Sequence, residues 1–357
     1  MSDAQKVLMI TSRADIGGGP KHLIDLISEK PSNFIVYAAL PFDQDYSLAI
    51  QSQSRESIQI PFRKFSLPAF FRVLAFIKRR NIKTVHSHGR GAGLYSRALK
   101  LFGVRVIHTF HGVHDEKGFK GLIKLQVDQL LKCLTDQFIS VSPSEYEKAL
   151  SYKVCSPEKT SVIVNGVKVQ KQLQASNFNN SPKIALLGRL SFPKGYDILI
   201  SYIDKFIEEN HNLSFEINIA GEGEAFLELM EQLDKTRYAK NRITFIGKTL
   251  EPLVFLSKHE AFMSFSRFEG LPLSVLEAMS LGRACLLSNV VGNRDVCPPN
   301  SRSAILFQLD SYKDFQHKFK DFLTNSALRK ELSSNAFKTV ENFFSVSTMA
   351  KKTFNLY

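Results

Sequence analysis

The chain has no long apolar run. None of its 357 residues belong to a stretch approaching the ~18 consecutive apolar residues that a membrane-spanning helix needs. Its start, Met-Ser-Asp-Ala-Gln-Lys, leads straight into the apolar run Val7–Ile10, which is too short and mixed for a signal peptide. With 44% hydrophobic and 23% charged residues, the composition predicts a soluble globular protein of the cytoplasm.

Cysteine is scarce and common nucleotide motifs are absent. The four cysteines, Cys133, Cys155, Cys285 and Cys297, form no C-x-x-C pair and have no histidine at ligand spacing. They predict free thiols in a reducing compartment and no structural metal. The sequence has neither G-x-G-x-x-G nor a P-loop at its first glycine-rich turn, so it does not indicate binding of a dinucleotide or ATP there.

Short apolar runs alternate with helical patterns along the whole chain. Runs such as Phe34–Leu40 and Lys183–Leu187 are typical of buried parallel strands, and segments such as Tyr196–Glu208 have helical spacing. The polar stretch at 168–182 predicts a linker. We therefore expect two doubly wound α/β domains, residues 1–167 and 183–342, with ligands in the cleft at the carboxyl ends of their strands.

Positive charge is concentrated in the first half. Residues 1–170 contain 24 Lys and Arg against 14 Asp and Glu, whereas the whole chain has a net charge of +13. This excess predicts an anionic partner, either nucleic acid or an anionic membrane surface. Nucleic acid is the weaker candidate, because no recognised module is present and no aromatic residues alternate with the basic ones.

The segment 61–83 combines basic residues with an apolar stripe. Five apolar residues fall at helical spacing, at Leu67, Phe70, Phe71, Leu74 and Ile77. Two interpretations remain open: a helix that packs on the core with a solvated basic face, or a helix that lies on an anionic lipid surface.

Glycines and cations follow predicted strands in both halves. Gly18 and Gly19 come between the first strand and the first helix, where the backbone can approach a ligand closely. Arg189 and Lys194 lie on the loop after the first strand of the second half. Two cations at that spacing can clamp one diphosphate, although they can equally be ordinary surface charges.

Histidines cluster between residues 86 and 114. His111 follows a predicted strand, and His86, His88 and His114 are close in sequence. Such clustering can indicate a metal, but no cysteine or carboxylate joins them at ligand spacing, so we expect none. Asp43-Gln-Asp45 has a D-x-D spacing, which we interpret as a helix cap or a solvated acidic pair.

The most informative segment runs from Phe268 to Gly282. Pro272 suits the first turn of a helix, which places Glu269 just before the helix and Glu277 about two turns inside it. The backbone N–H groups at the helix start, Leu273 and Ser274, can bind a phosphate. The two carboxylates are suited to accept hydrogen bonds from sugar and ribose hydroxyls, although an isolated E-x7-E spacing is common.

This pattern resembles the E-x7-E signature of retaining GT-B glycosyltransferases of sequence family 4. The resemblance extends in family order over the glycine loop, Phe110-His-Gly112, Gly188-Arg…Lys-Gly195 and the E-x7-E segment. It implies an α/β GT-B fold, in which two doubly wound Rossmann-like domains face each other across a cleft. It also implies that residues 343–357 cross back to the N-terminal, acceptor-binding domain. One departure is Val291-Gly-Asn-Arg294, which we leave out of the predicted site.

The resemblance also implies roles for individual residues. His111 and Glu269 would contact the transferred sugar, and Glu277 the ribose. The donor diphosphate would be bound by Gly18, Gly19, Arg189, Lys194, Leu273 and Ser274. Ile246 and Gly247 would hold the base through their backbone, and His88 would line the acceptor side. Gly221 and Gly223 would mainly serve turn geometry.

The implied reaction needs no metal or other cofactor. A nucleotide-diphospho-sugar, with UDP-hexose or UDP-N-acetylhexosamine favoured, would donate its sugar with retention to a lipid-linked or saccharide acceptor of a surface polysaccharide. The enzyme would then work at the inner face of the cytoplasmic membrane. Two alternatives remain: a sugar-nucleotide epimerase on the same fold, and a basic binding protein without catalytic activity.

Overall fold

A computed structural model describes residues 4–113, 118–170, 178 and 181–357. The chain divides into two compact units. Unit 1 comprises Met1–Gly166 together with Val346–Tyr357, and unit 2 comprises Val167–Ser345. Each unit contains a single parallel sheet with helices, so both are α/β structures of the doubly wound, Rossmann-like kind.

Unit 1 contains a seven-stranded parallel sheet in the order β3-β2-β1-β4-β5-β6-β7. Its strands are β1 (Gln5–Thr11), β2 (Phe34–Leu40), β3 (Ser57–Gln59), β4 (Thr84–His88), β5 (Arg105–Thr109), β6 (Gln137–Ser140) and β7 (Thr160–Val162). Its α-helices are α1 (Gly18–Ser28), α2 (Ser47–Gln53), α3 (Leu67–Arg80), α4 (Arg90–Lys100), α5 (Gly118–Leu131) and α6 (Pro143–Ser151), and a last one near the C-terminus is described below.

Unit 2 contains a six-stranded parallel sheet in the order β10-β9-β8-β11-β12-β13. Its strands are β8 (Lys183–Leu187), β9 (Glu216–Ala220), β10 (Ile243–Gly247), β11 (Ala261–Ser264), β12 (Ala284–Ser288) and β13 (Ile305–Phe307). Its α-helices are α7 (Tyr196–Glu209), α8 (Phe226–Asp234), α9 (Pro252–Ser257), α10 (Leu273–Ser280), α11 (Tyr312–Thr324) and α12 (Ser326–Phe343).

The central strands are apolar because both faces of each sheet are covered. In β1, Val7 and Met9 point into one cluster with Leu23 of α1, whereas Leu8 and Ile10 point into another with Val73 of α3. Successive residues of a strand point to opposite faces, so a strand buried on both sides reads as a continuous apolar run. The sheet order places the ends of β1, β4 and β5 side by side.

The last helix, α13 (Val346–Phe354), completes the core of unit 1. The ring of Phe354 lies 4.9 Å from that of Phe34, measured between centroids. Beyond the helix, the Tyr357 hydroxyl lies 2.5 Å from Nδ1 of His86. The final residues of the sequence therefore support His86, in the middle of β4.

Segment 61–83 contains helix α3, for which the sequence left open a core-packing helix or a helix on a lipid surface. Phe70, Leu74 and Ile77 are buried in the core of unit 1, whereas Leu67 and Phe71 are exposed. Most of the predicted stripe therefore packs on the sheet. Asp43 and Asp45 are exposed, and the residue before α2 is Tyr46. The four cysteines are free thiols.

Among the described residues, no helix combines the length and hydropathy that crossing a membrane requires.

Candidate active site

Three histidines meet at the carboxyl ends of the central strands of unit 1. His88 is the last residue of β4, His111 follows β5 by two residues, and His22 lies in the second turn of α1. His88 Nδ1 lies 3.3 Å from His111 Nε2. The His22 ring is 4.9 Å from the His111 ring, between centroids, and its Nδ1 is held by Asn165 Oδ1 at 2.9 Å.

The glycine turn packs directly against this cluster. Gly18 is the first residue of α1, and a side chain at Gly19 would begin only 3.6 Å from the His111 ring. The Gly19 backbone therefore lies within ordinary packing distance of His111, and the N–H groups of the helix start lie at the same end of the sheet. Gly19, His88 and His111, all predicted site residues, are brought together; His22 was not predicted.

A second layer of histidines lies beneath the first. His86 Nε2 lies 2.7 Å from Thr109 Oγ1, and His108 Nδ1 lies 2.9 Å from Ser87 Oγ. Burial lowers the pKa of His22 from 6.5 to about 4 and that of His86 to about 3. It also holds the pKa of His88 and His111 well below the usual value, so the cluster is neutral at pH 7.

Neutral imidazoles are also metal ligands, and this cluster offers three. One ring nitrogen from each of His22, His88 and His111 lies within 4.8 Å of the others. The 3.3 Å separation between His88 and His111 is near that of two ligands on one tetrahedral ion, while the third needs to move closer. Of these three histidines, His22 has its Nδ1 held by Asn165, whereas the buried Nε2 of His88 has no hydrogen-bond partner among the described atoms. His114 lies outside the described residues.

In unit 2, a lysine and a glutamate form the centre of the second group of predicted residues. Lys194 Nζ contacts Glu269 Oε1 at 2.6 Å, and Ser266 Oγ donates to the same oxygen at 2.6 Å. Both charged side chains are mostly buried. They line a small pocket with Tyr196, Ser264 and Ser274. Burial and the Glu269 carboxylate raise the pKa of Tyr196, which stays a neutral hydroxyl.

The loop 291–294, which the sequence analysis left out, supports Glu269. The backbone N–H of Glu269 donates to Val291 O at 3.0 Å. Gly292 has φ +84°, and a Cβ on it would lie 2.6 Å from Glu269 Cβ. Asn293 is buried and donates from Nδ2 to Ser288 O at 3.1 Å. Nothing in the sequence indicated the contact of this loop with Glu269.

Helix α10 begins at Leu273, the helix start that the sequence analysis predicted. Pro272 is the residue before the helix, with an extended ψ of 111°, rather than part of its first turn. Glu277 therefore lies little more than one turn inside the helix, and the expectation of two turns was wrong. Glu277 and Leu273 are buried, and Ser274 lines the same pocket as Lys194. The helix start and both glutamates belong to one short segment.

The remaining predicted residues lie at neighbouring strand ends of unit 2. Arg189 follows β8, and Gly247 ends β10 with φ +82°. Ile246 is the extra residue of an irregularity in the pairing of β10 with β9, which leaves it half exposed. A Cβ on Gly221 would lie 1.9 Å from Gly188 O, so this glycine serves a close backbone approach, as expected.

The charged and polar groups of the two units determine which kinds of ligand each unit can bind. A lysine, an arginine and a helix start provide positive potential for phosphate oxygens. Carboxylates accept hydrogen bonds from hydroxyl groups, and uncharged histidines can donate one hydrogen bond and accept another. Unit 2 is thus equipped for a phosphorylated, hydroxyl-rich ligand, and unit 1 for a neutral polar one.

Comparisons with known proteins identify the family. Residues 17–171 match the sequence model of Glycosyltransferase Family 4, and residues 168–339 match that of Glycosyl transferases group 1. The chain is 27% identical over 299 residues to an Escherichia coli UDP-Gal:alpha-D-GlcNAc-diphosphoundecaprenol alpha-1,3-galactosyltransferase, covering 79% of this chain and 76% of that protein. It is 26% identical to the Staphylococcus aureus capsular polysaccharide biosynthesis glycosyltransferase CapH, covering 82% of this chain and 83% of that protein.

Solved structures support the same fold. Anabaena Alr3699/HepE in complex with UDP-glucose superposes with a TM-score of 0.85 at 16% identity, covering 98% of both chains. TarM superposes with a TM-score of 0.80 at 14% identity, covering 99% of this chain and 98% of that one. Together the two family models span 17–339, well over half of the chain. The chain therefore belongs to glycosyltransferase family 4 and has the two α/β units of the GT-B fold.

Proposed function

We propose that this enzyme moves a sugar, with retention of configuration, from a nucleotide-diphospho-sugar to a lipid-linked or saccharide acceptor of a bacterial surface polysaccharide. The observation that carries the proposal is the 2.6 Å contact of Lys194 with Glu269 next to the start of α10. It places a cation for a phosphate and a carboxylate for a hydroxyl within one pocket. A lysine and a glutamate together suit a ligand that contains both a sugar and a diphosphate better than they suit a sugar alone or a diphosphate alone.

The relatives narrow the substrate class. The Escherichia coli galactosyltransferase is named for a UDP-sugar donor and a diphosphoundecaprenol acceptor, and other relatives are named for O-antigen or capsule synthesis. We therefore favour a UDP-hexose or UDP-N-acetylhexosamine donor and an O-antigen or capsule precursor as acceptor.

Each predicted residue has a role in this reaction. Arg189 and Lys194 stabilise the negative charge that develops on the leaving diphosphate, together with the N–H groups at Leu273 and Ser274 and the turn at Gly18 and Gly19. Glu269 binds the sugar and Glu277 the ribose, while the backbone at Ile246 and Gly247 holds the base. His111 orients the sugar, and His88 lines the acceptor side.

The acceptor hydroxyl gives its proton to the leaving phosphate, so the reaction needs no separate general base. We propose that it also needs no metal, because Arg189 and Lys194 supply the positive charge. The basic character of unit 1 draws the enzyme to the anionic inner face of the cytoplasmic membrane. There it would meet a lipid-linked acceptor.

A donor screen tests the proposal first. Melting temperature and slow sugar release would be measured with UDP-, GDP-, ADP- and dTDP-sugars, in EDTA. We expect one nucleotide to raise the melting temperature and its sugar to be released. Failure of every sugar nucleotide would contradict the proposal, and formation of an epimerised sugar nucleotide without acceptor would favour the epimerase.

Substitution of the central pair tests the site. We expect Lys194→Ala to lower kcat about 10²- to 10³-fold, because a preorganised charge at the leaving group is removed. Glu269→Ala should abolish transfer by removing the sugar contact. Circular dichroism and melting curves would verify folding, and Lys235→Ala, from an exposed ion pair, is the matched control. Normal turnover in Lys194→Ala or Glu269→Ala would refute the assignment.

A further inference from the structure

Helix α5 of unit 1 turns an apolar face outward. Its exposed apolar side chains lie at positions i, i+3, i+4, i+8 and i+11, and their exposed fractions are 78% for Phe119, 57% for Leu122, 44% for Ile123, 38% for Val127 and 74% for Leu130. At 100° per residue these positions, with Gln126 among them, span a sector of about 140°. No charged residue lies in that sector, which we call the α5 face.

The inward side of the same helix is more polar than the outward side. Asp128 contacts Arg90 at 2.9 Å and Arg97 at 3.3 Å, and Gln129 donates to Tyr152 O at 2.9 Å. Leu125 packs against a small cluster around Phe110 and Phe138. The usual arrangement of a surface helix, apolar inside and polar outside, is thus reversed here, and fold stability does not account for the α5 face.

The length and position of the α5 face suit a lipid surface. From Phe119 to Leu130 it extends roughly 16 Å along the helix axis. The helix begins at Gly118, seven residues after His111 in the chain. An apolar surface of this size on a folded protein marks an interaction site.

The positive charge of unit 1 favours a lipid surface over a second copy of this chain as the partner of the α5 face. Unit 1 contains 25 Lys and Arg against 14 Asp and Glu, so two copies joined through the α5 face would bring like charges together. An anionic bilayer is attracted by the same excess. Lys124 is exposed and lies roughly 60° outside the α5 face. Asp128, on the opposite side of the helix, is already engaged by two arginines.

We propose that the α5 face inserts into the interfacial region of an anionic bilayer and is the main apolar membrane contact of this enzyme. This deepens, and rests on, the proposed action on a lipid-linked acceptor. It assigns insertion to α5 rather than to α3, most of whose stripe is buried. Basic residues of unit 1 then supply long-range attraction, and the α5 face supplies the apolar anchor.

Vesicle flotation of the full-length protein tests this assignment. One variant combines Phe119→Gln, Leu122→Gln and Leu130→Gln, which keeps helix propensity and removes three exposed apolar side chains. Its matched control combines Phe343→Gln, Leu48→Gln and Leu227→Gln, which are exposed on other helices. A third variant, Leu67→Gln with Phe71→Gln, removes the exposed part of α3.

We expect the wild type and the control to float with vesicles of phosphatidylglycerol and phosphatidylcholine. The α5 variant should bind about tenfold or more weakly. The α3 variant should lose less of its vesicle affinity than the α5 variant. The melting temperatures of all three variants should equal that of the wild type. The proposal would be overturned if the wild-type protein did not bind these vesicles, or if the α5 variant bound them as tightly as the wild type. It would also be overturned by a dimer in light scattering that only the α5 variant abolishes.

A separate readout keeps this inference distinct from the proposed function. Because the α5 face does not belong to the donor site, the α5 variant should keep the wild-type thermal shift with the donor nucleotide-sugar and wild-type sugar release. A protein that binds vesicles through α5 but responds to no sugar nucleotide would uphold the membrane contact and refute the transferase assignment.

Discussion

At the scale of single residues, Gly292 sets the position of Glu269. Its φ of +84° is one that side chains other than glycine rarely adopt, and an added Cβ would lie 2.8 Å from Gly270 O. We expect Gly292→Ala to destabilise the protein by about 1–3 kcal/mol through backbone strain and crowding, and to lower activity by displacing Glu269. Chemical denaturation and transfer assays would measure the two effects.

Gly103→Ala is the control for that substitution. Gly103 has nearly the same φ, +81°, but an added Cβ there would meet nothing within 4 Å among the described atoms. It should show the backbone penalty with normal activity. If both alanine variants keep full activity, the loop at 291–294 does not position Glu269.

Buried histidines make stability depend on pH. The folded pKa is about 4 for His22 and about 3 for His86, against 6.5 when unfolded, so the unfolded chain binds more protons in acid. The stability that these two neutral histidines contribute is therefore complete above pH 6.5. It is lost progressively as the pH falls toward their pKa values in the folded protein. We expect a loss of about 2 kcal/mol from each at pH 5.

Denaturation at pH 7 and pH 5 measures that loss. His86→Gln should reduce the pH dependence, since glutamine stays neutral, whereas His211→Gln, at an exposed position, should leave it unchanged. Equal stability of the wild type at both pH values would mean that the histidines are not buried as described.

Some residues of the site could be predicted and others could not. Lys194 and Glu269 stood in recognisable local patterns, and the structure brings them into contact at 2.6 Å. Ser266, Gly292 and His22 lacked such a signal, because their importance comes from a neighbour distant in sequence or from the path of a loop. Local spacing predicts which residues follow a strand, but not which loop will pack behind them.

At the scale of elements, a buried ion pair fixes helix α12 to the sheet of unit 2. Arg329 donates from Nε to Glu260 and from Nη1 to Phe322 O and Leu323 O, both at 2.7 Å. We expect Arg329→Ala to cost about 3–5 kcal/mol of unfolding free energy, because a buried carboxylate loses its partner. Arg302→Ala, from an exposed pair with Glu331, should change stability by less than about 0.5 kcal/mol. Similar losses in both variants would contradict this interpretation.

Most elements were predictable because long apolar runs and helical spacing are strong signals. Strands at Phe34–Leu40 and Lys183–Leu187 have the predicted bounds. The three-residue edge strands β3 and β13 were missed, because they are too short to show a period. The equally short edge strand β7 was predicted, because it overlaps the apolar run Ser161–Val164. For α3, helical spacing predicted an apolar stripe, but it could not show that the sheet would cover most of that stripe.

At the scale of the whole molecule, the chain returns to unit 1 after completing unit 2. Deleting residues 346–357 would remove the buried side chains of Val346, Met349 and Phe354 from the core of unit 1. Each contributes about 1.5–3 kcal/mol, and the sum approaches the net stability of a domain. We expect unit 1 to become protease-sensitive while unit 2 keeps its melting transition.

The control for the deletion is Lys351→Gln with Lys352→Gln, which changes two exposed residues of α13 and leaves its buried face intact. This variant should resist protease like the wild type. A truncated protein with an intact unit 1 would mean that α13 contributes little to that core.

Because unit 1 is made of two separate stretches of the chain, it cannot finish folding until unit 2 has been synthesised. Residues 167–345 must all be translated after Gly166 before the ribosome reaches α13. At about 5–20 residues per second this takes roughly 10–40 s, during which Leu23, Leu26 and Phe34 lack their covering helix. Unit 2, continuous in sequence, can finish folding first. A nascent chain with one complete domain and one waiting for its last helix is therefore a natural client for chaperones that bind exposed apolar surface.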